Sequence, residues 1–166
     1  MLAVDPQGGI TGYYREEQDE DALKSCSFFL AGKATVGSTP VVTWNNERFP
    51  GTLTPLGNGV ELRVEKGRQH PGCGLVLLPK IASGLEFSLV RETNWRELRR
   101  IENKRVNFHS TPSEATKMRA FVVAGDVVGV IAESGMWLEV EYPGKEKTTR
   151  GWMRAAETQK LTAPSR

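Results

Sequence analysis

The chain has 166 residues, 39% of them hydrophobic and 25% charged, with a net charge of +2, an ordinary globular composition that excludes wholesale disorder. Its longest purely aliphatic run, residues 75–78, falls far short of the ~20 apolar residues of a spanning helix, so no membrane insertion is expected. A charge this near zero sets up no broad field for a polyanion, and no nucleic-acid partner is expected.

In chain order, the first feature is acidic. Glu16, Glu17, Asp19, Glu20 and Asp21 place five carboxylates within six residues, which reads as a solvated loop or, more sharply, as a surface that steers toward a basic partner. Strand signals then dominate. Residues 60–65 alternate strictly, with Val60, Leu62 and Val64 on one face, and residues 85–89 and 138–142 repeat the pattern. Shorter apolar or β-branched segments at 26–30, 41–44, 75–78, 121–123 and 127–131 read as further strands. Gly/Asn/Asp/Pro turns separate them, among them 57–59, 72–74, 125–126 and 143–144. One stretch suggests a turn or two of helix, because Trp95, Leu98 and Ile101 recur at i, i+3, i+6 behind Thr93 or Asn94 as a cap. Residues 161–166 read as a frayed tail.

Short strands at this spacing predict a mainly β protein, a barrel or sandwich, in place of βαβ units. The fold expected is an N-terminal β domain over residues 1–96, a sandwich or small barrel, followed by a second β module over 97–166. Charge divides in the same place. Residues 1–94 carry 9 Lys/Arg against 11 Asp/Glu, and residues 95–166 carry 13 against 9.

Cys26 and Cys73 are the only cysteines and form no C-x-x-C pair. They are either a disulfide or two buried thiols. The disulfide is the reading taken, worth roughly 4 kcal/mol in the chain-entropy model and persistent only in an oxidising compartment.

Val106-Asn107-Phe108-His109-Ser110-Thr111-Pro112, then Gly125-Asp126-Val127-Val128, Met136-Trp137-Leu138-Glu139-Val140 and Gly151-Trp152-Met153, follow in the order of landmarks of the bacterial SH3-like (SH3b) domain, which residues 101–156 resemble. The resemblance implies a strongly bent five-stranded barrel for the C-terminal module. His109 stands where that family has Arg and Thr111 where it has Gly, which weakens transfer of its peptidoglycan-peptide recognition. The Phe-x-Ser-x-Pro run is also similar to SH3-like modules of Gram-negative envelope proteins. A periplasmic or cell-envelope location is therefore expected, with a leader removed ahead of Met1.

Candidate contacts follow from side-chain type. Trp44, Arg48 and Phe49 sit at a predicted hairpin tip, where aromatics and Arg make binding hot spots. Phe108, Trp137, Tyr142 and Trp152 form an aromatic groove or fill a small barrel. Strand parity puts Trp137 opposite Leu138 and Val140, beside Glu139 and Glu141, so it is expected partly in solvent. His109 is a surface strand residue or orients a carboxylate. Arg96, Arg99, Arg100, Lys104 and Arg105, interleaved with Glu97 and Glu102, read as an exposed self-paired surface. His70 lies three residues before Cys73, yet nothing marks a nucleophilic thiol or a paired-ligand metal spacing. No catalytic residue, metal or cofactor is expected. The function expected is non-catalytic binding of a protein partner, as an inhibitor or immunity protein that occludes a hydrolase or toxin, or else of peptidoglycan.

Overall fold

The computed structural model describes residues 1–18 and 25–165. Asp19, Glu20 and Asp21 of the acidic run lie outside the described residues. Glu16 and Glu17 end a strand instead of opening a loop. The chain is mainly β and contains two curled antiparallel sheets, each a half-barrel of seven strands. Two compact units result, one of residues 1–2, 6–93 and 162–165, the other of residues 3–5 and 94–161.

The first sheet is a meander in sequence order: β1 (Leu2–Val4), β2 (Gly9–Glu17), β3 (Ser25–Lys33), β4 (Thr39–Trp44), β5 (Arg48–Leu56), β6 (Gly59–Arg63) and β7 (Leu85–Ser88). Period-2 alternation turns Ile10, Phe28, Leu30, Val41, Phe49, Leu53 and Leu62 onto the concave face, where they are buried together. Strands alone do not fill that face. Between β6 and β7 the chain makes a 3₁₀ turn (Gly67–Gln69), a single helical turn α1 (Cys73–Val76) and another 3₁₀ turn (Pro79–Ala82). This connection drops Cys73, Leu77 and Ile81 into the same core.

Three devices hold the connection in place. The disulfide Cys26–Cys73 ties it to β3. The Val64 amide donates to the Ile81 carbonyl at 2.8 Å, and Arg63 Nε donates to the Ala82 carbonyl at 3.1 Å. Gly72 has φ +78°, and a Cβ there would lie 2.0 Å from the Ser25 carbonyl oxygen, so only glycine lets the connection approach β3 this closely. The expectation of a strand over 75–78 is thus corrected. A strand needs a partner edge, and these residues instead pack from above onto a sheet already paired.

The second sheet has the order β10 (Lys117–Val123), β9 (Arg105–His109), β13 (Thr148–Arg154), β12 (Trp137–Pro143), β11 (Val127–Ser134), β8 (Glu97–Ile101) and β14 (Thr158–Lys160). Its core gathers Ile101, Val106, Phe108, Val122, Val128, Val130, Leu138, Val140 and Met153. The helix expected over 94–101 is corrected to strand β8. It pairs with β11 on one side and β14 on the other, and two ladders outweigh one helical turn. The misleading spacing has a simple origin. Ile101 faces the core, Leu98 is buried on the opposite face in register with Gly129, and Trp95 precedes the strand and lies over Gly129, where a Cβ would come within 2.3 Å of its ring. Nor is the tail frayed from its start. Leu161 is buried, and the Pro164 carbonyl accepts from Arg48 Nη1 at 3.0 Å.

Candidate functional site

Residues 45–47 form the predicted hairpin tip between β4 and β5, but its aromatics point home. Phe49 is buried in the core, with its ring 4.8 Å from that of His70. Trp44 is also buried, on the other face, 6.0 Å from Phe29. The expected display of Trp44 and Phe49 is therefore corrected. Strand parity commits each to a packed face, leaving Asn46 and Glu47 exposed and Arg48 half-exposed.

A second set of candidates meets on the outer face of the second sheet. Registers Trp137↔Arg154, Glu139↔Trp152 and Trp152↔His109 bring these side chains to one side. Parity does put Trp137 opposite Leu138 and Val140, yet it is only 7% exposed. The Arg154 guanidinium covers its ring at 4.3 Å, and the His109 ring meets it edge-on at 4.9 Å. Arg154 is fixed in turn by Glu114, whose Oε1 accepts from Nε at 2.8 Å. His109, expected at the surface, is buried and donates Nδ1–H to the Ser113 carbonyl at 2.9 Å. Phe108 lies wholly in the core. Trp152 and Tyr142 are half-buried, and Tyr142 donates its hydroxyl to Asp126 Oδ1 at 3.2 Å. In the expected Arg cluster, Arg99 is buried, with Nε 2.6 Å from Glu97 Oε1. Arg96, Arg100, Lys104 and Arg105 are exposed.

What sequence reasoning missed is the outer side of the connection that fills the first sheet. Leu77 points inward, whereas Leu75 is 85% and Leu78 57% exposed. They form a knuckle on a braced support: α1 closes with the Leu77 amide on the Cys73 carbonyl at 3.0 Å, Cys73 is disulfide-bonded, and the Arg68 guanidinium donates to the Gly74 carbonyl. Gly74 and Pro79 bracketing a four-residue aliphatic run beside a cysteine was the available signal.

The same connection carries His70. It is 2% exposed, stacked on Phe28 with centroids 4.8 Å apart. Its Nε2 is 3.0 Å from Thr43 Oγ1, which is itself 3.1 Å from the Phe49 carbonyl. The carbonyl takes the single hydroxyl proton, so Nε2–H donates to Thr43 and Nδ1 carries a bare, buried lone pair without a partner. Burial lowers the imidazole pKa to about 4. This arrangement fits a packing role. A proton acceptor sealed from solvent does no acid–base work on a substrate.

Among the described residues no group of three or more His, Cys, Asp or Glu is placed to hold a metal. No helix among the described residues is long and apolar enough to cross a membrane. Comparison with known proteins finds no matching family model, curated protein or solved structure.

Proposed function

We propose that this chain is a non-catalytic binding protein of an oxidising envelope compartment, whose first unit inserts the Leu75–Leu78 knuckle into an apolar cleft of a protein partner. The partner in this reading is a cell-wall or membrane-directed hydrolase or toxin, and the chain acts as its inhibitor or immunity protein. The knuckle carries the reading. Two large aliphatic side chains stand in solvent on a segment held by a disulfide, so ordering them in a cleft costs little further entropy. A disulfide is compatible with the periplasmic location. An SH3-like barrel for residues 97–166 is supported by the antiparallel β11–β12–β13 run, by β13 lying beside β9, and by the shift in register between Val130 and Ala132 that bends β11.

The test is co-purification from envelope extract with wild type and with Leu75→Glu/Leu78→Glu. A discrete partner held by wild type and released by the variant, at unchanged thermal unfolding, is the expected result. Equal retention by both removes the knuckle from the mechanism.

The outer face of the second unit favours one other reading, a peptidoglycan-binding module. Trp152 is half-exposed there beside the partly exposed Arg154, an indole and a guanidinium suited to a carboxylate-bearing stem peptide. Sedimentation with purified sacculi separates the two. Retention that falls with Trp152→Ala favours this reading over the first.

A further inference from the structure

A different surface stands out in the second unit. Strand β10 ends its sheet, and an uncovered edge strand is a template for another chain. Its burial alternates. Met118, Ala120 and Val122 turn toward the core, while Lys117, Arg119, Phe121 and Val123 face out. Phe121 is 47% and Val123 43% exposed. Neighbouring β9 presents Arg105 on the same side, with its guanidinium 3.7 Å above the Phe121 ring. Neither strand contains an acidic residue, and exposed Lys104 adds a further cation.

The backbone is arranged to match. The register shifts between Lys117 and Phe121. Asn107 Nδ2 reaches across to the carbonyls of Met118 at 3.0 Å and Ala120 at 3.3 Å, so the irregularity is satisfied from within the sheet. Val123 N–H is taken by Asp126 Oδ2 at 2.8 Å, which marks the end of the usable edge. Lysine or arginine alone along an edge discourages pairing. Here two cations give way to two exposed apolar side chains, and the arrangement selects by charge.

We propose that β10 docks an extended acidic segment of a partner protein as an added strand, with two carboxylates opposite Lys117 and Arg119 and two apolar side chains against Phe121 and Val123. Main-chain pairing supplies the affinity, and the alternate side chains supply the choice of partner. This surface is independent of the knuckle, so either can fail alone.

The test uses the full chain and labelled peptides of the pattern Glu-Thr-Glu-Thr-Val-Thr-Val, in both directions, with Lys-for-Glu versions as controls. The expected result is binding of a Glu peptide that weakens with salt, with backbone amide shifts centred on β10 and β9. Affinity should fall roughly tenfold for Lys117→Glu/Arg119→Glu and again for Phe121→Glu, as for loss of a hot-spot contact. Should Phe121→Glu disturb folding, Phe121→Thr gives the same comparison on a strand-compatible residue. Equal binding of the Lys peptides, shifts located elsewhere, absence of binding, or displacement of the peptide by a single-stranded oligothymidylate as effective as by unlabelled peptide would each overturn the proposal.

Discussion

The two units fill a curled sheet in different ways. The second uses side chains of its own strands, and its buried cluster is aliphatic, aromatic and thioether throughout. The first brings in a segment that pairs with no strand, and its core therefore contains a disulfide and, against Phe28 and Phe49, an imidazole. Close packing by strands is indifferent to redox state and pH. A core completed by a tethered connection depends on the tether and on the charge of what the connection carries. The first unit should consequently respond to conditions that leave the second untouched.

The largest expected effect comes from cutting the tether. Cys26→Ala/Cys73→Ala, or reduction, should cost the first unit about 2–5 kcal/mol. Hydrogen exchange resolved along the chain is the measurement. Protection of β2–β6 amides should fall sharply, and that of β9–β13 should stay. An equal fall in both sheets would mean that the chain unfolds as one cooperative body.

Acid should produce the next largest effect, through His70. Its folded pKa, about 4, lies below the ordinary value of 6.5, so the unfolded chain binds the extra proton first. The contribution of neutral His70 is complete above pH 6.5. It is lost progressively as pH falls toward 4 and changes no further below that, amounting to on the order of 3 kcal/mol. Around the ring, β3 offers Cys26 and Phe28, β4 offers Thr43 and β5 offers Phe49, and on the connection itself Lys66 and Arg68 are exposed. On β2, burial raises the pKa of Tyr14, and its hydrogen bond to Glu16 raises it further. His70→Phe keeps an aromatic ring and removes the proton site. Denaturant titrations at pH 7 and pH 4 should show a smaller acid loss in the variant than in wild type. Parallel losses would dismiss the imidazole as the cause.

These sensitivities show what the residues themselves disclosed. Alternation at Val60, Leu62 and Val64 and at Leu138 and Val140 was legible because each strand has one buried face, and period 2 follows directly. Strand β8 was opaque because it buries residues on both faces, Leu98 on one and Arg99 and Ile101 on the other, which erases alternation and leaves Trp95, Leu98 and Ile101 at a spacing that mimics a helix. The disulfide was one of two open readings of Cys26 and Cys73. Its purpose, seating a connection on the concave face, depended on contacts between residues far apart in sequence. The face of Trp137 was readable, but its burial was not. Arg154 covers it from β13, held by Glu114 of a 3₁₀ turn (Glu114–Thr116), and strand parity says nothing about what neighbouring strands lay over a side chain.

That cover gives a smaller prediction for the second unit. Arg154→Ala removes the guanidinium from the Trp137 ring and leaves Glu114 without its partner. The pairing is partly exposed, so the loss should be about 1 kcal/mol. Tryptophan fluorescence of a chain in which Trp44, Trp95 and Trp152 are replaced by Phe, leaving Trp137 as the only indole, should shift to the red on Arg154→Ala. An unmoved spectrum would mean that His109 and the sheet alone keep water from the indole.

The smallest effect is expected at an exposed aliphatic side chain of the connection. Leu75 and Leu77 are two residues apart in one short connection, yet Leu77 is sealed in the core and Leu75 stands 85% in solvent. Leu77→Ala should cost the first unit about 2–5 kcal/mol, as truncations in a packed core do. Leu75→Ser should alter stability by no more than about 0.5 kcal/mol, the usual range for a surface change. Paired unfolding curves check both. A large loss from Leu75→Ser would make it a core residue of the isolated chain and take away the knuckle's reason for being displayed. With the small loss, the free fold gains nothing from Leu75, which leaves its side chain available for the apolar cleft proposed for the partner.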